Sequence, residues 1–348
     1  MLISILIPCF NGEPWIGQCI DSALAQSWPD TEVVVVDDGS TDGSLDIIRG
    51  FGERIRWESG ENRGGNAARN RLLALARGGW LQYLDADDYL LPEKVRRQAD
   101  FARLHPDCDV VISPVLSEKS ANGRTMRIEV PTTPPDDPAI LLALWRLPQT
   151  GGPLWRKSAL ERVNGWRVGQ ICCQEHELYL RLLMAGARFA FCDGAFAVYR
   201  ELMHPARLTH RYRLEIVRQR QAIVGRLEQF LRAQAALTRP RRQAVNDARH
   251  ELARWAWNQG DQSLAAELTG QIAASDPAFQ PSPGAASPMA YRLAYRLATL
   301  RRLMIIYRHI GPSAAMAALE AEIAQAIEAT EDAADSLRQI RKMKISKR

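Results

Sequence analysis

Leu84-Asp85-Ala86-Asp87-Asp88 places three carboxylates within four residues, directly after an apolar stretch. Such groups repel one another unless a cation neutralises them, and hard oxygen ligands of this kind suit Mg²⁺ or Mn²⁺ bridging a substrate diphosphate. In an extended segment Asp85 and Asp87 point the same way, and Ala86 leaves room for the ligand. The competing reading is an acidic turn that caps a helix beginning near Pro92. A second acidic cluster, Asp37-Asp38-Gly39-Ser40-Thr41-Asp42, follows Val33-Val34-Val35-Val36. A carboxylate there could accept a hydrogen bond from a base N–H or a ribose hydroxyl, with Asp38 the candidate. Asp37 and Asp42 are expected to cap and solubilise the turn, and Ser40 or Thr41 to cap the next helix.

These groups need elements to position them. Leu2 to Ile7 and Val33 to Val36 are short apolar runs of the kind buried on both faces of a parallel sheet, and Glu13 to Gln26 between them has helical spacing. The same alternation predicts a helix over 65–76, strand 80–84, helix 92–104 and strand 109–113. Asn122-Gly123 between strand-like flanks predicts a hairpin, and 131–138 reads as a loop. Helices are expected over 138–145, 157–163 and 174–185, then a strand pair within 188–200. Only helical periodicity follows from about Arg207, and 241–259 with 262–275 resembles one helix-turn-helix repeat. In a doubly wound α/β sheet, ligands lie beyond the carboxyl ends of the strands. Pro8 to Gly12, Asp37 to Asp42 and Asp85 to Asp88 all begin there, so three separate segments converge on one edge.

Composition excludes several classes. The chain has 348 residues, 46% apolar and 24% charged, which speaks against disorder and against a membrane bundle. The net charge of +5 is unevenly spread, with Arg and Lys crowding 200–249 and 338–348. Solvated helix faces explain that excess more simply than an anionic partner does. Without a recognised module or interleaved aromatic residues, nucleic-acid binding is not expected. Six cysteines lack CxxC or zinc spacing, so reduced thiols and a cytoplasmic setting are expected. No signal peptide or membrane-spanning run is apparent.

Ser4-Ile5-Leu6-Ile7-Pro8-Cys9-Phe10-Asn11-Gly12, Val36-Asp37-Asp38-Gly39-Ser40-Thr41-Asp42, Asn62-Arg63-Gly64-Gly65-Asn66-Ala67-Ala68-Arg69-Asn70 and Leu84-Asp85-Ala86-Asp87-Asp88 stand in the order and spacing of family 2 glycosyltransferases. The resemblance covers roughly residues 1–210. It implies an α/β fold of GT-A type, a Rossmann-like mostly parallel sheet flanked by helices. An all-α C-terminal extension lies outside it, giving domains 1–210 (catalytic) and 211–348 (helical).

The resemblance also implies roles. Pro8, Phe10 and Asp38 match positions that hold the base and ribose, with Glu13 and Asn66 nearby. Asp85, Ala86 and Asp87 match the DxD motif that holds the donor diphosphate, and Asp85 and Asp87 are the metal ligands. Gln174-Glu175-His176-Glu177 resembles the segment whose acidic residue deprotonates the acceptor hydroxyl, and places Glu175 there, although the family commonly has Asp after Glu. The carboxylate is chemically right for that task, while a favourable charge at a helix N-terminus is the alternative for Glu175 and the preferred reading of Glu177. His176 is the weaker catalytic candidate.

Trp155 lies in a stretch similar to one beneath donor sugar and acceptor; it either stacks on a sugar or sits in the core. His204 resembles a histidine that reaches metal or diphosphate, with His210 as runner-up and Arg207 to steady the diphosphate.

The expected function is inverting transfer of a sugar from a nucleotide diphosphate sugar, UDP favoured by the resemblance, to a carbohydrate or glycolipid acceptor, assisted by Mg²⁺ or Mn²⁺. A metal-dependent sugar nucleotidyltransferase is one alternative, though Glu13 stands where an activating basic loop would be. A non-catalytic sugar-nucleotide-binding protein is the other. The basic, apolar helix expected over 291–309 either packs in its own bundle or makes peripheral contact with the inner membrane face. The basic ending 341–348 would reinforce such contact. Sequence leaves the oligomeric state open.

Overall fold

The computed structural model describes residues 1–121, 124–130, 137–201 and 213–282. Strand β1 (Ile3–Cys9), helix α1 (Ile16–Leu24), β2 (Thr31–Asp37), α2 (Ser44–Gly50), β3 (Arg56–Ser59), α3 (Gly65–Leu75) and β4 (Trp80–Tyr83) form the first part. There follow β5 (Tyr89–Leu90), α4 (Lys94–Leu104), β6 (Val110–Ile112), β7 (Val115–Ala121), β8 (Arg124–Val130), α5 (Pro138–Ala143), β9 (Leu154–Arg156), α6 (Lys157–Arg162) and α7 (Gln174–Met184). After β10 (Phe189–Phe191) and β11 (Ala197–Arg200) come three helices, α8 (Arg213–Ala233), α9 (Arg239–Asn258) and α10 (Gln262–Ser275).

The main sheet has seven strands in the order β10-β6-β9-β4-β1-β2-β3. Its pairings are parallel except those of β9, which runs antiparallel to β4 and β6. The apolar runs of β1 and β2 are continuous because both faces of the sheet are covered. Ile3, Ile5, Ile7, Val33 and Val35 pack with α1 and α4 residues Ile16, Ile20, Val95 and Ala99. Leu6, Val34 and Val36 join Ala68, Leu72, Leu141, Leu178 and Tyr179 in the cluster on the opposite face. This is the α/β, mostly parallel and helix-flanked architecture expected from the sequence.

A second sheet of four strands, in the order β5-β11-β7-β8, lies beside the first. The hairpin of β7 and β8 forms as expected, although Asn122-Gly123 and the loop over 131–136 lie outside the described residues. The strands expected to pair within 188–200 separate instead. β10 pairs with β6 in the main sheet, while β11 inserts between β5 and β7 in the other. An isolated two-stranded ribbon is marginal, and each strand gains more by completing a larger sheet.

Helix α5 starts cleanly because Pro138 occupies its first turn and Asp137 accepts hydrogen bonds from Ala139 N (2.9 Å) and Ile140 N (3.4 Å). Helix α8 packs against α5 and α7. The chain divides into two compact units, residues 1–252 and 253–348. In the second, Asp261 caps α10 by accepting from Leu264 N at 3.0 Å. The segments 291–309 and 341–348, singled out for their basic character, lie outside the described residues. No described helix is long and apolar enough to cross a membrane.

Candidate functional site

β1 and β2 end in register, Cys9 opposite Asp37, so the loops that follow them are adjacent. Side chains stitch those loops together. Asn11 takes a left-handed conformation (φ 50°); its Oδ1 accepts from Thr41 N at 2.8 Å, and its own N–H donates to Ser40 Oγ at 2.9 Å. Gly12 N donates to Ser44 Oγ at 2.8 Å. Ser40 and Thr41 therefore do not cap α2, whose N-cap is Gly43 without a side-chain cap. Their polar groups are taken by the neighbouring loop instead, a tertiary bond winning over a local one. Asp42 Oδ2 accepts from Glu13 N at 3.1 Å, and Glu13 Oε2 accepts from Gly43 N at 2.9 Å.

Asp37 is buried and structural, accepting from Ser59 Oγ at 2.7 Å and Ser40 N at 3.3 Å. Asp38 Oδ1 and Oδ2 accept from Arg63 N at 2.8 Å and Gly64 N at 2.9 Å. The acidic cluster thus anchors the start of α3 as well as facing the cleft.

Asp85 to Asp88 differ from the extended segment expected. Asp88 N donates to Asp85 O at 3.0 Å and closes a turn, because the chain must leave β4 and enter β5 in the second sheet. The turn does not cap α4, whose N-cap is Glu93. It is held from two sides. Arg69, on α3 and nearly buried, reaches Asp85 Oδ1 at 2.8 Å, Asn66 Oδ1 at 3.1 Å and Gln174 Oε1 at 3.2 Å, and lies over the Trp166 ring at 4.9 Å. Burial opposes its charge, but Asp85 and Glu175 outweigh that effect and its pKa is raised above the usual arginine value. On the other side, Arg200 of β11 donates from its backbone N to Asp88 Oδ1 at 2.9 Å and from Nη1 to Asp87 O at 3.1 Å.

The three strand ends enclose a cleft of about 310 Å³, lined by Pro8, Phe10, Asp38, Asp85, Ala86 and Asp87 together with Trp15 and Arg69. Six of the residues expected from sequence are therefore brought together. Others are not. Glu13 is committed to Gly43 and does not line the cleft. Asn66 is buried and holds the segment before α7 by donating to Arg167 O at 2.8 Å. Trp155 offers no face to a sugar: it is 0% exposed in β9, with ring centroids 5.1 Å from Tyr179 and 6.4 Å from Trp166. The neighbouring antiparallel strands and α7 close over it, so the core reading holds. His204, Arg207 and His210 lie outside the described residues.

Glu175 opens α7 beside this cleft, within the electrostatic reach of Arg69. Its Oε1 accepts from Thr150 Oγ1 at 2.6 Å. The neighbouring candidates are structural. His176 stacks on Trp145 at 3.6 Å between centroids, and burial pushes its pKa down to about 3. Glu177, 2% exposed, binds Arg181 at 2.8 Å and Arg226 at 3.4 Å. Sequence reasoning missed Arg69, Thr150 and Arg200 as parts of the site. Arg69 lies within the stretch from Asn62 to Asn70 and Thr150 five residues before Trp155, but only the three-dimensional contacts single them out. Among the described residues, no cluster of three or more His, Cys, Asp or Glu has the geometry to hold a metal ion.

The profile of the family "Glycosyl transferase family 2" matches residues 4–161. A poly(ribitol-phosphate) beta-glucosyltransferase of Bacillus spizizenii is 36% identical over 131 residues, 36% of this chain and 20% of that protein. A chondroitin synthase of Pasteurella multocida is 42% identical over 97 residues, 27% of this chain and 10% of that protein. The matches thus span a fifth or less of these relatives' lengths. Among solved structures, S. aureus TarS 1-349 in complex with UDP-GlcNAc matches with a TM-score of 0.55 at 17% identity, covering 79% of this chain and 81% of that one. This likeness establishes the GT-A fold. Residues 4–161, which supply the strands and loops of the cleft, match the profile of glycosyl transferase family 2.

Proposed function

We propose that the protein is an inverting glycosyltransferase that moves a sugar from a nucleotide diphosphate sugar, UDP being the favoured nucleotide, to a hydroxyl of a glycan, polysaccharide or glycolipid. The observation that carries this reading is the single cleft in which Pro8, Phe10 and Asp38 meet Asp85 and Asp87, with Glu175 alongside. The polysaccharide character of the acceptor is supported by relatives that act on poly(ribitol-phosphate) or build chondroitin. Chemistry is assigned to residues 1–210, with α8 as a buttress behind α7.

In this reading Pro8 and Phe10 form the apolar wall against the base, and Asp38 receives a ribose hydroxyl or base N–H on a lone pair not used by Arg63 and Gly64. The acceptor hydroxyl gives its proton to Glu175 while its oxygen attacks the anomeric carbon opposite the departing diphosphate. One displacement inverts that carbon. Arg69, cationic and held beside Asp85, faces the negative charge that accumulates on the leaving group. Asp85 and Asp87 fit a divalent cation as hard oxygen donors, and two protein ligands suffice where substrate phosphates and water complete the shell. When bound, such a cation supplies further neutralisation of the diphosphate. The basic, apolar segment 291–309 is proposed as a peripheral membrane contact.

The test is a screen of nucleotide sugars for nucleotide release in the presence of Mn²⁺. Wild-type protein is expected to turn over at least one donor, and Asp87→Ala to lose about 100-fold or more. A wild-type protein that neither binds nor cleaves any donor, with or without metal, ends the proposal.

A further inference from the structure

Thr150 lies on the segment between α5 and β9 and is 1% exposed. Its hydroxyl donates to Glu175 Oε1 at 2.6 Å, whereas Oε2 of the same carboxylate has no hydrogen-bond partner among the described residues. A buried hydroxyl could choose a carbonyl acceptor and commonly does, so the choice of a half-buried carboxylate beside the cleft needs an explanation.

The segment that carries Thr150 is fixed from several directions. Tyr179 Oη donates to Pro148 O at 3.0 Å. Gln82 Nε2, from β4, donates to Gly151 O at 3.0 Å. Gln98 Nε2 and Ser113 Oγ donate to Gly152 O at 2.9 and 3.2 Å. Gln82 and Gln98 are themselves buried, at 0% and 1% exposure. A side chain added at Gly152 would meet Pro148 Cβ at 2.5 Å, so the close packing of this loop on itself requires glycine there. Gln82 and Asp85 stand three residues apart on one strand and its exit turn. The position of Thr150 is therefore referred to the strand that carries the acidic turn, while Glu175 belongs to a helix on another layer.

We propose that Thr150 is the positioning residue of the general base, holding Glu175 Oε1 so that Oε2 faces the acceptor hydroxyl. This rests on the glycosyltransferase reading of the same cleft. In the step it serves, the acceptor O–H bond breaks and its proton goes to Oε2; the new oxygen–carbon bond forms; and the bond from the anomeric carbon to the phosphate oxygen breaks, its electron pair leaving with the diphosphate. The Thr150 proton stays on Thr150 throughout. Because Oε1 is already occupied, the carboxylate presents one oxygen in one orientation, and rotation about its terminal torsion, broad for glutamate, is arrested.

The experiment compares wild type, Thr150→Val, Thr150→Ser, Glu175→Gln and the double variant Thr150→Val/Glu175→Gln. The probe is nucleotide release, with water as acceptor, from whichever UDP-, GDP-, dTDP- or CMP-sugar the wild type cleaves in Mn²⁺; nucleotide affinity is measured in parallel. Thr150→Val, nearly the same shape without the donor, is expected to lower kcat about 10- to 100-fold, the worth of one hydrogen bond to a charged group, while donor KM and nucleotide affinity stay within about threefold. Thr150→Ser is expected to restore most of the rate. In the Glu175→Gln background, Thr150→Val is expected to cost little more, since two residues acting through one carboxylate are not additive.

An unchanged kcat in Thr150→Val alongside a collapsed Glu175→Gln overturns the positioning role alone. Equal losses with and without Glu175, or failure of Ser to rescue, do the same by exposing a purely structural threonine. Full activity in Glu175→Gln removes the base itself, and no cleavage of any donor by the wild type removes the reading on which both stand.

Discussion

Arg69 joins the two halves of the site. One guanidinium binds Asp85 of the acidic turn and Gln174 at the head of α7, so the acidic turn and the start of α7 share a single buried cation. His176, one residue beyond Glu175, shows how differently a neighbouring position can be used. It is buried against Trp145, with Nε2 unpaired among the described residues, and its pKa falls to about 3. The unfolded chain protonates this imidazole near pH 6.5 and the folded one only near pH 3. Between those values the unfolded state binds the extra proton, so the fold loses stability as pH falls, by up to about 1.4 kcal/mol per pH unit. The expected result is that His176→Phe flattens the acid dependence of the urea midpoint between pH 6.5 and 4 relative to wild type; parallel profiles would show that the imidazole does not titrate this way. Sequence could rank Glu175 above His176 on chemical type, but only the structure shows the imidazole of His176 buried and kept neutral.

Among the elements, the loops after β1 and β2 were legible as a polar rim but not in their wiring. Ser40 and Thr41 had the composition of helix caps and became ties to Asn11, because adjacent strand ends put a second loop within reach. Gly39 is where this arrangement tolerates least. Its φ is +76°, and a Cβ there would stand 2.7 Å from Asn62 N and 3.0 Å from Gly60 O, both backbone atoms. Gly39→Ala is expected to destabilise the protein by about 1–3 kcal/mol and to lower its thermal midpoint, checked by calorimetry. A midpoint equal to that of wild type would show that the loop can move aside. The acidic segment was foreseen either as an extended ligand site or as a turn capping the helix near Pro92; it is a turn, but one that does not cap that helix. The bend depends on β5 belonging to another sheet, which composition does not reveal. The separation of β10 from β11 has the same origin.

At the scale of the whole molecule, the first compact unit runs to Leu252 and carries the cleft, and α9 crosses into the second. The basic, apolar segment 291–309 is argued from its sequence: Leu293, Leu297, Leu300 and Met304 alternate with Arg292, Arg296, Arg301 and Arg302. If it makes the proposed contact, the full chain is expected to float with liposomes containing anionic lipid and to lose flotation when residues beyond Pro288 are deleted. A full chain that stays at the bottom of the gradient dismisses the contact.

The amino-acid sequence by itself determined the alternation of buried strands and helices, and the placing of carboxylates at strand ends. Both follow from local rules: apolar runs need two covered faces, and polar residues gather where a parallel strand stops. Only the tertiary structure decided that Trp155 is a core residue rather than a sugar platform, that Asn66 and Glu13 serve loops rather than the cleft, and that Arg69, Arg200 and Thr150 hold the acidic turn and Glu175. Those outcomes depend on which distant segments meet, and the type and spacing of residues along a chain do not encode that until the layers are packed.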